Sequence, residues 1–94
     1  MSRAFVKEDS DGAPPRYSLP PREDPGFPLA AARALLAGAN QGDTVSAEEA
    51  TGYTWGDGRL VLEMRTILRE AEERDDDRLI TLAERFLRTA GALA

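Results

Sequence analysis

Three consecutive carboxylates, Asp75, Asp76 and Asp77, stand in "AEERDDDRLITLAERF" (residues 71–86), with an arginine on each side. Carboxylate oxygens suit hard cations such as magnesium and calcium, and Asp75 and Asp76 are the residues to nominate for that chemistry. A calcium loop wraps its ion in many oxygens and needs a glycine at its sharp turn; "RDDDR" has none. The competing use is local. An aspartate ahead of a helix accepts hydrogen bonds from unpaired backbone N–H groups and faces the positive end of the helix dipole. The spacing favours this second use, with Asp76 or Asp75 as the N-cap and Asp77 in the first turn.

Other chemistry is bounded by what the composition lacks. The 94 residues include no cysteine and no histidine. Disulfides, thiolate zinc sites and nucleophile–base pairs built on either residue are excluded, and the commonest general base near neutral pH is missing. The expectation is a non-enzymatic protein with no catalytic residues, no metal and no cofactor. Net charge is −5, and no stretch of the chain is basic, which disfavours nucleic acid as a partner. No apolar run approaches the ~18 residues of a membrane span, and no basic-then-apolar leader opens the sequence, so the expected location is cytoplasmic.

What remains is binding chemistry. In "TGYTWGDGRL" (residues 51–60), Tyr53 and Trp55 stand among glycines and are followed by Arg59. Tryptophan, tyrosine and arginine are the types that dominate binding hot spots. The plainer use of the two rings is to anchor a loop on the core. Tyr17 and Phe27 are further candidate partner contacts, on a stretch that could instead lie as a strap over the protein's own helices.

The elements that must position these residues follow from proline placement and apolar spacing. All six prolines fall in the first 28 residues. Proline fixes its own φ and pushes its predecessor out of the helical region, so residues 1–27 read as an extended arm, with 1–13 expected to be disordered, and 28–94 as a helical domain. A first helix is expected from Leu29 to about Ala39, with Leu29, Ala32, Leu35, Leu36 and Ala39 on one face and Gly42 as a left-handed stop. Ser46 and Glu49 read as a capping box for a short helix that ends at Gly52. That helix is too short to stand alone, and Val45, Ala50, Tyr53 and Trp55 are its expected packing residues. Asp57 can cap a third helix with an apolar stripe at Leu60, Met64, Ile67, Leu68 and Ala71. A fourth runs from about Asp76 to Leu87, with Leu79, Leu82, Ala83, Phe86, Leu87 and Ala90 facing inward and Glu84 paired with Arg88; "TAGALA" is expected to fray. No stretch alternates with period two. The class is all-α, a short helix plus three main helices, the last two forming an antiparallel hairpin. The hairpin's apolar stripe could be covered by the arm, by the first helix, or by a second copy in a homodimer.

Two resemblances bear on function. The opening "MSRAFVKED" is similar to the first residues of some bacterial GreA/GreB-family proteins, transcript-cleavage factors that enter RNA polymerase through its secondary channel. In that family a helical hairpin with an acidic tip supports a magnesium ion at the polymerase active site. The resemblance covers about a tenth of the chain. It implies bacterial RNA polymerase as partner; the family's G-D-x-x-E-N-A-E-Y tip is absent, so its cleavage role is not carried over. Separately, "LLAGANQGDTVSAEEATGYTWGDGRLVLEMRTIL" looks like a helix-turn-helix segment, in which "EEA…TGY" joins a supporting to a recognition helix. The expected function is a protein-binding module, transcription-associated and contacting RNA polymerase; the alternative is a helix-turn-helix-like DNA-binding regulator.

Overall fold

The computed structural model describes residues 17–94. The opening "MSRAFVKED" and the disorder expected of residues 1–13 lie outside that range. The described chain is all-helical, with no strand among its residues.

Helix α1 spans Phe27–Asn40, starting slightly before the apolar spacing suggests. Pro28 sits in its first turn, where a missing N–H leaves nothing unsatisfied. Ahead of it, the Asp24 carboxylate accepts the Gly26 N–H at 2.7 Å and the Asp24 carbonyl accepts the Phe27 N–H at 2.9 Å. The exit is a Schellman turn. Gly42, at φ 73°, donates to the Ala39 carbonyl, and Asp43 donates to that of Gly38.

Asp43 then becomes the N-cap of α2, Thr44–Thr51, accepting the Ser46 N–H at 3.1 Å. This corrects the expected capping box: Ser46 supplies the backbone donor, and the acceptor is the aspartate delivered by the preceding turn. The expected packing residues also change. Val45 is 61% exposed and Ala50 faces solvent, while Ala47 and Thr51 are buried. At the far end, Gly52 adopts φ 81° and closes the helix on the Glu48 carbonyl.

Asp57 caps, as its position suggests, but it caps a short 3-10 turn, Gly58–Leu60, that leads into α3, Val61–Glu73. Helix α4 spans Asp77–Thr89. The three aspartates between them divide the work of the turn. Asp75 takes the left-handed conformation, φ 55°, and donates its N–H to the Glu72 carbonyl. The Asp76 N–H reaches the Ala71 carbonyl at 2.9 Å, completing a second Schellman turn. The Asp76 carboxylate accepts the Leu79 N–H at 3.2 Å as N-cap of α4, and Asp77 occupies the first turn.

The tail after α4 is tied down, contrary to the fraying expected of it. Gly91, at φ 77°, and Ala92 form a third Schellman turn on the carbonyls of Arg88 and Leu87. Arg65 donates to the Ala92 carbonyl, and Arg88, expected to pair with Glu84, donates to that of Ala94.

In the core, α3 packs on α4 and α1 lies across both, while α2 is carried on α1. Leu35 and Leu36 of α1 meet Leu60, Met64 and Ile67 from the α3 side and Leu82, Phe86 and Leu87 from α4. Each such fully buried side chain stabilises the fold by roughly 1.5–3 kcal/mol. The α1–α2 crossing is close because it is built on Gly38: a Cβ there would stand 2.8 Å from the Ala47 Cβ and 2.9 Å from the Asp43 carbonyl oxygen. Among the described residues, no helix is long and apolar enough to cross a membrane.

Candidate functional site

Four of the side chains that carry binding chemistry come together where the start of α1 meets the segment between α2 and α3. The rings of Phe27 and Tyr53 lie 6.3 Å apart, tilted by 30°. Arg59 lies over the Tyr53 ring, its Cζ 4.7 Å from the centroid. Arg22 lies over Phe27 at 5.4 Å. Two adjacent rings are therefore flanked by a guanidinium at each end, each cation attracted by the negative face of the ring beneath it.

Both arginines are held from behind. Asp57 receives Arg59 Nε at 3.1 Å and Nη2 at 2.8 Å, a bidentate pair, and the same carboxylate accepts the Arg59 backbone N–H. The hydrogen bonds from the Arg59 side chain lower the Asp57 pKa from its ordinary 3.8 to about 2, against a smaller upward push from burial. In the pair, the Asp57 side chain is only 12% exposed and that of Arg59 71% exposed, so the carboxylate is covered and the guanidinium faces out. Arg22 donates Nη1 to the Thr51 carbonyl at 3.0 Å and Nη2 to that of Ala50 at 3.5 Å. These carbonyls end α2, so a residue from the arm caps that helix and meets the negative end of its dipole.

Backbone ties hold Tyr53 in register. Thr51, fully buried, donates its hydroxyl to the Ala47 carbonyl at 2.8 Å and accepts the Tyr53 N–H at 3.1 Å. Two residues on, the Trp55 N–H reaches the Glu48 carboxylate at 2.7 Å. The indole and the Phe86 ring meet in a T-shaped contact, centroids 5.0 Å apart and planes at 73°, so half-buried Trp55 is a core anchor.

Of the five candidate partner contacts, the structure brings Phe27, Tyr53 and Arg59 together. It places Trp55 on the core and Tyr17 apart, against α1 beside Gly38. Tyr17 and Phe27 are 9% and 5% exposed, so both rings face the chain's own helices. Arg22 escaped the sequence reading. Its role depends on a helix end 28 residues further along the chain, and its flanking residues carry no sign of that. The Asp75 N–H and both the N–H and the carboxylate of Asp76 serve the turn, and no group of three or more acidic residues placed to hold a metal ion occurs among the described residues. No protein-family model, curated protein or solved structure matches the chain.

Proposed function

We propose that this chain is a non-enzymatic protein-binding module whose contact point is the exposed side of the Tyr53–Arg59 pair. The supporting observation is the preorganised stack itself. Arg59 is fixed by two hydrogen bonds to Asp57 and by the Tyr53 ring, so a partner that engages it meets a group whose rotamer entropy is already spent. Phe27 and Arg22 act behind this pair as supports. Bacterial RNA polymerase is the proposed partner, on the resemblance of "MSRAFVKED", in a cytoplasmic, transcription-associated setting.

The test uses the full chain, immobilised, against purified bacterial RNA polymerase and against host extract. Retention of polymerase by the native chain, and its loss with Tyr53→Ala and Arg59→Ala together, is the expected result. Failure to retain purified polymerase removes that partner. A double variant that captures every partner as well as the native chain removes the Tyr53–Arg59 surface.

A further inference from the structure

Away from that stack, the face between α1 and α4 has a different character. Two hollows flank the C-terminal half of α1 and share Leu82 as a wall. One, about 370 Å³, is floored by Leu36, Leu79 and Leu82. The other, about 390 Å³, is lined by Ala39, Leu82 and Trp55. Each falls within the range of ligand-binding clefts, ~300–1,000 Å³. Neither includes Phe27, Tyr53 or Arg59.

The rim is basic in a chain whose net charge is −5. Arg33, Arg78 and Arg85 line the two hollows, against one acidic residue, Asp76. Asp76 is committed to the Leu79 N–H, and Arg33 is paired with Glu70 at 2.8 Å. Arg78 donates its Nε to the neutral amide oxygen of Asn40 at 2.9 Å, a bond that crosses from α4 to α1, and the Asp76 carboxylate is the one opposite charge lining the same hollow. Arg85 is exposed two turns further along α4 on nearly the same face, seven residues from Arg78. Two guanidiniums thus stand beside an aliphatic floor with Trp55 at one end.

We propose that the α1–α4 groove is a docking site for an acidic peptide segment with bulky apolar side chains. The apolar groups seat in the hollows and the carboxylates meet Arg78 and Arg85. Carboxylates match planar guanidinium donors two-to-two, and opposite charge on the rim sets register and speeds encounter. A nucleic-acid backbone fits less well, because the surrounding negative charge repels phosphate and the floor is mostly aliphatic.

The experiment is a titration of the isotope-labelled full chain, followed through its amide and indole resonances. The probe is a short synthetic peptide of glutamates with leucine and phenylalanine anchors. Saturable shifts centred on Asn40, Thr44, Trp55 and Leu82 are expected. Affinity should fall at least about tenfold in Arg78→Glu/Arg85→Glu, and likewise when lysines replace the glutamates of the peptide. The second comparison uses the native chain and is independent of how the variant folds. The proposal is overturned by no saturable shift up to about 1 mM peptide, near the weakest affinity of interest. It is equally overturned by indifference to both charge changes, or by an oligonucleotide that binds the same residues more tightly. Shifts centred on Tyr53 and Arg59 would also overturn it, while leaving the proposed function standing.

Discussion

Asp57 carries more of the candidate surface than its size suggests, because it both caps the turn before α3 and fixes Arg59. Its folded pKa, about 2, lies below its ordinary 3.8. The stability the pair contributes is therefore complete above about pH 4 and is lost as pH falls through about 2. A carboxyl-carbon titration of the folded chain should place the Asp57 midpoint near 2; a midpoint at the ordinary value would contradict the bidentate geometry. In Asp57→Asn the acid limb contributed by this group should vanish, and the Tyr53 ring should gain mobility. The acidic triplet makes a second prediction at this scale. Glycine is the residue at the left-handed position after α1 and after α4, whereas Asp75 fills it after α3. Asp75→Gly should leave stability unchanged or raise it by up to about 1 kcal/mol by relieving a conformation costly for a side chain. Asp76→Ala should cost about 1 kcal/mol through the lost cap. Urea denaturation distinguishes the two, and a change of the same sign and size in both would mean that the aspartates do not divide the turn as described.

Helix α2 depends on others more than any element here. Eight residues cannot hold a helix in water unaided. Three outside contributions support it: Asp43 at its start, Arg22 at its end, and Ala47 pressed against Gly38. Arg22→Ala should cost roughly 1 kcal/mol and fall mainly on α2. Amide exchange at Glu48–Thr51 should accelerate while α3 and α4 stay protected; uniform acceleration would show that Arg22 supports the whole fold instead. The same element shows why part of the architecture was legible in the sequence and part was not. The stripes of α3 and α4 could be placed because periodic burial leaves its mark within a dozen residues. The start of α2 could not, because its acceptor is set by how α1 ends, and its inward face is set by a glycine on another helix. Tyr53 and Arg59 were recognisable by residue type. Arg22 and the groove arginines, Arg78 and Arg85, become meaningful only once α1, α2 and α4 are laid side by side.

At the scale of the molecule, one small core serves every element. Phe86 is fully buried and in edge contact with Trp55, so it joins the hairpin to the segment that carries Tyr53. Phe86→Ala should cost about 3–5 kcal/mol, a large share of the stability a domain of this size can have. Thermal unfolding followed by Trp55 emission and by far-ultraviolet circular dichroism should shift downward together. Separate transitions would show that the Trp55 segment melts apart from the hairpin. Composition places the start of the helical body at Pro28, yet Tyr17 and Arg22 both lie upstream of it. One covers the α1–α2 crossing and the other grips the end of α2. A shortened version cut at that proline would lose the first residue of α1, Phe27, along with both of these fastenings, so what composition sets apart as an arm is structurally part of the helical body.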